Sequence, residues 1–270
     1  DTAVSSSAAA SGFGSGGSSG GGSMDDLVDD TSPQLGGDLD LNSNDITGTN
    51  STGSFGHLRM NGKDLPPLFI TGSSVFIGEG TGLADDGSAN DNVGIGKDAL
   101  GAMVSYGGNV AIGNNTMKLR TRGDDNVAIG TSAGGTDGDD MGDKNVFIGL
   151  NTGRDINSTN SDANVFIGSS AGLTGLQSIA NVLIGDRAGN TLTNSSRNVA
   201  IGMFAGTGDG VTAATTENGV YIGQYARSSA TDANNEIVIG GEATGKGSHT
   251  AVIGGDNITD IYLSEDVGAT

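Results

Sequence analysis

The chain has no cysteine, no tryptophan, 3 prolines in 270 residues, 4% aromatic residues, and 12 Lys plus Arg against 32 Asp plus Glu. Each shortage excludes something. Without cysteine there is no disulfide framework and no thiolate metal site. Two histidines, His57 and His249, cannot make a histidine metal cage. A net charge of −20 repels phosphate backbones and anionic headgroups, which argues against a nucleic-acid partner. No run approaches ~18 consecutive apolar residues, so no membrane insertion is expected. The start at Asp1, with no charged-then-apolar leader, reads as a boundary within a longer polypeptide. Few prolines and no Gly-X-Y period exclude collagen despite 50 glycines. With 34% hydrophobic residues, an enzyme-like core around a lined pocket is not expected; what is buried must be mostly small or β-branched.

What is present falls into four stretches. Residues 1–23 are Ser, Gly and Ala around a single Phe13, a composition that cannot offset its ordering entropy and reads as a flexible linker. Residues 24–72 carry Asp38-Leu39-Asp40-Leu41 and then Asn44-Asp45-Ile46, which fits short strands with Asn/Gly turns in an extended β-rich stalk. Residues 73–260 are a repeat, and 261–270 form an end segment.

The repeat is marked by an Ile-Gly pair, with Ile77, Ile95, Ile112, Ile129, Ile148, Ile167, Ile184, Ile201, Ile222, Ile239 and Ile253 preceding the glycines. Successive steps are 18, 17, 17, 19, 19, 17, 17, 21, 17 and 14 residues. Self-similarity of this kind indicates stacked structural units, with the length variation confined to loops. Two residues before each Ile stands Val, replaced by Ile237 and Ala251 in the last two units, so Val and Ile share one strand face by the two-residue alternation. Three residues after the glycine come Ala99, Ala133, Ala171, Ala188, Ala205, Ala226 and Ala243, with Thr in three other units, as a second inward point beyond a glycine corner. Each unit is thus one coil of a β-solenoid, and eleven coils at ~4.8 Å per rung give a repeat on the order of 50 Å long.

The middle residue of each triplet is Phe76, Gly94, Ala111, Ala128, Phe147, Phe166, Leu183, Ala200, Tyr221, Val238 or Val252. If Val and Ile point inward, these face out, where a solitary solenoid would carry polar residues. The expectation is a second cover supplied by copies of the same chain, a parallel intertwined homotrimer with Phe76, Phe147, Phe166, Leu183 and Tyr221 in the trimer core. Four residues before the glycine, Asn92, Asn109, Asn126, Asn145, Asn164, Asn181 and Asn198 are expected to form a stacked amide ladder; an amide row gripping a sugar is the alternative.

The units Asn126-Val-Ala-Ile-Gly-Thr-Ser-Ala-Gly134 and Asn164-Val-Phe-Ile-Gly-Ser-Ser-Ala-Gly172 resemble the Ile-Gly repeats of bacteriophage tail fibres, and are similar to the head repeats of trimeric autotransporter adhesins. The second family forms a left-handed parallel β-roll shared by three chains, with a repeat usually nearer 14 residues, a length matched here by the last step alone. The segment from Asp30 to Ile46 resembles a linker of tail-fibre and other virion proteins of marine and cyanobacterial phages, which tips the comparison toward the phage family. That resemblance implies a structural and adhesive fibre on a virion tail, with itself, other tail proteins and a host surface receptor, glycan included, as partners. A bacterial surface adhesin and a tailspike polysaccharide depolymerase are the alternatives. Such fibres often carry a C-terminal trimerising chaperone that is cleaved off, and no Lys/Arg-rich segment of that kind follows Leu263.

Catalytic and cofactor patterns are incomplete. Gly78-Glu-Gly-Thr-Gly82 and Gly94-Ile-Gly-Lys97 imitate fragments of phosphate loops without a following helix pattern. Acidic clusters at Asp85-Asp86, Asp124-Asp125 and Asp137, Asp139, Asp140, Asp143 offer oxygen ligands to calcium but follow neither the EF-hand order nor that of calcium β-rolls, so solvated loops are expected and no cofactor. His249 beside Ser248 has no evident orienting partner for a hydrolytic triad. A glycosidase needs paired carboxylates in a groove with aromatics, and Phe204 and Tyr225 alone occupy outward positions just after a strand. The expectation is a protein that is not an enzyme. Function is expected in the insertions Gly134 to Lys144, Arg154 to Ala163 and Thr207 to Glu217 and in the terminal Asp256 to Thr270.

Overall fold

The structure is a computed structural model that describes residues 59–60, 63–64, 68–135, 141–156, 158–174, 177–207, 215–255 and 257–261. The linker at 1–23, most of the 24–72 stalk, part of each of the three insertions (136–140, 157 and 208–214), residues 175–176 and 256, and the terminal 262–270 lie outside the described residues.

The described residues are all-β. β1 (Arg59–Met60) and β2 (Lys63–Asp64) form a short antiparallel pair. β3 (Leu68–Thr71) then pairs antiparallel with β4 (Ser74–Ile77). From β4 onward every step is parallel: β5 (Val93–Ile95), β6 (Val110–Ile112), β7 (Val127–Ile129), β8 (Val146–Ile148), β9 (Val165–Ile167), β10 (Val182–Ile184), β11 (Val199–Ile201), β12 (Val220–Ile222), β13 (Ile237–Ile239) and β14 (Ala251–Ile253). The order in the sheet is the order in the chain, which is the signature of a solenoid: each strand stacks on the next after one turn of coil. Eleven strands enclose about ten turns, and the register is uniform, Val opposite Val and Ile opposite Ile, as in Val146↔Val165 and Ile148↔Ile167.

The corners are stacked as well as the strands. Gly149 N–H donates to Ile129 O at 2.8 Å, Asn151 N–H to Thr131 O at 3.0 Å, and Lys144 N–H to Asp124 O at 3.0 Å, so main-chain bonds continue around the coil. The glycine after each strand is required there. Gly149 has φ 138°, and a Cβ on it would sit 2.5 Å from the carbonyl oxygen of Gly168 in the next rung.

The two faces of the strand are reversed from the sequence expectation. In β5 through β10 the middle residue is buried while Val and Ile are half-buried. Phe76, Phe147, Phe166, Leu183 and Tyr221, expected in a trimer core, lie inside the coil of a single chain at 0–2% exposure. No second chain can reach them. Their neighbours are the inward Ala column, including Ala99, Ala133, Ala171 and Ala188, and hydrophobic loop residues such as Met103, Ile156 and Leu192. Adjacent rungs touch through this core, where the rings of Phe147 and Phe166 lie 5.5 Å apart at 53°.

The interior is narrow, and the sequence fills it by alternation of sizes. In four rungs where the strand supplies a large side chain, the residue four past the Ile-Gly glycine is itself glycine: Phe76 with Gly82, Phe147 with Gly153, Phe166 with Gly172, Leu183 with Gly189; Tyr221 is the exception, with Arg227 at that corner. Where the strand supplies Gly94 or Ala111, that corner carries Leu100 or Met117, both fully buried. These two adopt left-handed φ of 52° and 48° to turn inward, a conformation side chains of that size seldom take. In these six rungs one bulky group, from either source, fills the interior; in the Ala128 and Ala200 rungs both positions are small, and Met117 with Phe147, and Leu192 with Tyr221, approach the corner glycine from neighbouring coils.

Candidate functional site

Three features of the coil surface and core bear on function: the outer strand face, the corner columns and the amide ladder. The outer face is two columns wide, Val and Ile, and runs the length of the parallel stack. Among the described residues its Val and Ile side chains from β5 to β10 are half-buried. Exposure rises toward the C-terminal rungs, with Ile201, Ile222, Ile237 and Ile253 at 36–49%.

The amide ladder is structural. Asn164 N–H donates to Asn145 Oδ1 at 2.9 Å and its Nδ2 to the same oxygen at 3.0 Å, while Asn145 makes the equivalent bonds to Asn126 at 2.8 and 3.1 Å. The second amide hydrogen reaches a loop carbonyl, Ser161 O at 2.7 Å for Asn145 and Ser178 O at 2.6 Å for Asn164. All seven Asn residues are buried, so none of them can grip a sugar. At the first rung Ser74 Oγ stands in the same column and accepts from Asn92 N–H at 3.0 Å. Three of the inward positions carry threonine, and Thr116 and Thr152 donate to the glycine carbonyl of the next rung at 2.7 and 2.6 Å.

The ladder changes character at its far end, which the sequence reading missed. Gly219 takes the place of Asn, and a Cβ there would lie 2.5 Å from Tyr221 Cε2 and 2.8 Å from its hydroxyl. The phenol therefore fills the space of the missing amide. One rung on, Glu236 occupies the ladder column fully buried; its Oε1 accepts from Gly247 N–H at 2.8 Å and its Oε2 from the Tyr221 hydroxyl at 3.4 Å. Burial first, and the nearby carboxylate, push the Tyr221 hydroxyl up to about 12. The loss of Asn at this column was the visible signal.

The acidic residues of the loops are organised as hydrogen-bond acceptors. Asp124, Asp143 and Asp162 stand in one column, taking backbone N–H donors from Gly107 at 2.7 Å, Asp124 at 2.9 Å and Asp143 at 2.8 Å respectively. Asp85 Oδ1 caps Gly87 N–H at 2.9 Å, and the Ser88 hydroxyl and amide beside Asp86 hold its carboxyl below the usual range. Among the described residues no three acidic or His side chains gather as a metal-holding group. Asp137, Asp139 and Asp140 lie outside those residues. The glycine-rich fragments expected to mimic phosphate loops are coil corners: Gly78 and Gly96 each turn out of a strand, and Gly94 lies within β5 against Phe76. His249 sits on an exposed corner with Nδ1 3.4 Å from Asn235 Nδ2.

Phe204 and Tyr225 do face outward, but not as free platforms. Their rings are stacked on one another, centroids 5.2 Å apart at 9°, and the Arg187 guanidinium lies 5.2 Å over the Phe204 ring.

Comparison with known proteins adds no relative to this geometry. No family model matches the chain, and no curated protein or solved structure matches it.

Proposed function

We propose that this chain is a structural and adhesive fibre protein of a phage tail, in which three parallel copies form a stiff rod for attachment to the host surface. The observation that carries this reading is the outer Val/Ile face. An apolar double column extending over eleven rungs is larger than a solitary soluble chain leaves open to water, and its regular spacing matches only a partner with the same repeat. The partner that has this repeat by construction is another copy. The three-chain core is therefore built from Val and Ile, with Ile129, Ile148 and Ile167 near its middle, while the Phe and Tyr residues first assigned to it hold each coil together from within.

A rod of this kind works by reach and by multivalency. Three equivalent sets of loops bind a repetitive surface far more strongly than one. The loops are the variable parts, since strand and corner positions are committed to packing. The setting is the virion tail, with other tail proteins at one end and a host surface receptor at the other.

The test is oligomeric state by sedimentation or light scattering, on the native sequence and on Ile129→Asp with Ile148→Asp. The native chain is expected as a trimer. The variant buries six carboxylates at the shared axis and is expected as a folded monomer, since these positions are half-exposed in the single coil. A native monomer, or a variant that still trimerises, overturns the trimeric reading. Oligosaccharide release by the rod from host polysaccharide overturns the non-enzymatic one.

A further inference from the structure

The corner column two residues past each glycine is turned outward, and none of its described residues is buried. In the first six rungs it carries Gly80, Asp98, Asn115, Ser132, Asn151 and Ser170, small or polar residues in left-handed backbone. The next three rungs carry Arg187, Phe204 and Tyr225 at φ 54°, 57° and 57°. Bulky aromatic residues seldom adopt this conformation, and here two in succession do, in a chain with 4% aromatic residues. Neither ring fills the coil, whose interior at these levels is occupied by Ala200 with Ala205 and by Tyr221 with Ala226. Strain held at an outward position, with no gain in the core, points to a contact made outside the coil.

The two rings form one preorganised unit. Main-chain bonds set their spacing: Phe204 N–H donates to Asp186 O and Tyr225 N–H to Met203 O, both at 2.9 Å. The rings stack with centroids 5.2 Å apart at 9°, and the Arg187 guanidinium lies 5.2 Å over Phe204 from the rung before. Phe204 is thereby closed on both faces and Tyr225 on one. Among the described residues no ring or guanidinium lies over the second face of Tyr225. The rung on that side brings Gly241, where a Cβ would meet nothing within 4 Å, and then the exposed Glu242, whose N–H donates to Gln224 O at 2.7 Å. The stack thus ends in an open aromatic face beside a bare glycine, with exposed Gln224 and Glu242 as its polar neighbours. It also adjoins the longest step of the repeat: the Thr207 hydroxyl, at the start of the insertion from Thr207 to Glu217, donates to Phe204 O at 2.6 Å.

Resting on the adhesive reading above, we propose that the Tyr225 end of this stack is a saccharide-binding subsite that takes one neutral pyranose residue of a surface glycan. A pyranose has one face of C–H bonds, apolar and weakly positive, that matches the negative face of a phenol ring, and a rim of hydroxyls that carboxylate and amide side chains pair with. Phe204 and Arg187 behind Tyr225 hold its ring still, so little freedom is lost when a sugar docks. An acidic sugar is a poorer occupant: the chain carries a net charge of −20, Glu242 is the charge next to the open face, and Arg187 stands behind both rings. One such contact is weak by itself. Its repetition on the fibre, against a glycan that repeats on the host surface, supplies the avidity.

The experiment uses the full chain and the methyl glycosides of glucose, galactose, mannose and N-acetylglucosamine. Binding is read by saturation-transfer NMR and by tyrosine fluorescence, which no tryptophan obscures. The expected result is transfer to the C–H protons of one sugar face for at least one of the four glycosides. Tyr225→Ser should lose about tenfold or more in affinity, while Tyr225→Phe, which keeps the ring, should stay within about threefold of the native chain. Tyr225→Ser installs a residue that other rungs carry in this column and relieves the backbone, so its far-UV circular dichroism should match the native chain. Glu242→Ala should weaken binding by a smaller factor than Tyr225→Ser. No transfer to any of the four glycosides, or equal binding by native and Tyr225→Ser chains, overturns the subsite. Loss of host-cell adsorption in Tyr225→Ser, when the native chain binds none of the glycosides, makes this corner a protein contact and overturns the saccharide. The fibre reading fails separately: a native trimer that adsorbs to host cells without binding glycoside loses the subsite alone, and a monomer that binds glycoside through Tyr225 loses the trimeric rod alone.

Discussion

The ring of Phe147 occupies the space that a side chain on Gly153 would need: a Cβ there would lie 2.7 Å from Phe147 Cδ1 and Cε1. The two positions are six residues apart in sequence and meet across the interior of one coil. The same exclusion recurs at Phe166 and Gly172, and the sizes are exchanged in the rung where the strand carries Ala111 and the corner the buried Met117.

This complementarity predicts the outcome of exchanging sizes. Gly153→Leu alone should destabilise the coil by about 2–4 kcal/mol, since it overpacks the interior at a left-handed position. Phe147→Ala alone should cost about 3–5 kcal/mol by leaving a cavity. The double variant, which reproduces the Ala111/Met117 arrangement, should recover a substantial part of the loss. Chemical denaturation of the three variants measures the coupling, and strict additivity would contradict the pairing.

Asn145 links two rungs through four hydrogen bonds. Asn145→Ala removes the acceptor of the buried Asn164 N–H and Nδ2 and leaves Ser161 O without its donor. The expected loss is about 2–4 kcal/mol, as more than one buried polar group goes unpaired. Amide exchange at Asn164 and Val165 should accelerate before exchange at rungs several coils away. Uniform acceleration through the whole stack would mean that the ladder does not hold rungs locally.

The Tyr221 hydroxyl provides a pH marker. Its folded value is raised to about 12 from an unfolded value near 10, so the folded chain keeps a proton that the unfolded chain releases. The stabilisation this represents is fully present below pH ~10 and is lost as pH rises toward 12, on the order of 2–3 kcal/mol in total. Alkaline unfolding should therefore steepen between pH 10 and 12. Tyr221→Phe should flatten that segment of the profile while lowering stability at neutral pH, because Glu236 then loses a donor. An unchanged alkaline profile in the variant would assign the transition to other groups.

Gly149 gives the sharpest single-residue prediction. Gly149→Ala places a Cβ 2.5 Å from the carbonyl oxygen of Gly168, on backbone at φ 138°. Neither the carbonyl nor the corner can move without breaking the corner bonds on both sides. The expected cost exceeds about 2 kcal/mol, well above that of the same substitution at an ordinary loop glycine. Thermal unfolding of Gly149→Ala beside Gly241→Ala, whose Cβ would meet nothing within 4 Å, makes the comparison.

The sequence by itself determined the repeat, its period, the position of every strand from β4 to β14 and the amide ladder. These follow from local rules: a recurring Val-x-Ile-Gly specifies a short strand and a corner, and an Asn at constant offset must stack on its copies once the strands are in register. It also determined which residues share a face, since alternation along a strand is fixed. It did not determine which face points inward. Both faces of these strands are apolar, so hydrophobicity favours neither, and the bulk of Phe147 or Phe166 reads equally well as coil core or chain interface. The tertiary structure decided this through the direction the backbone turns at the left-handed corners, which sends the middle residue toward the Ala column and turns Val and Ile out. The interior that results is narrow, and in these rungs Gly153 and Gly172 oppose phenylalanine while Leu100 and Met117 stand at the corners of the Gly94 and Ala111 rungs. The stacking of Arg187, Phe204 and Tyr225 was likewise invisible in sequence, because residues 17 and 21 positions apart become neighbours only when the coil closes.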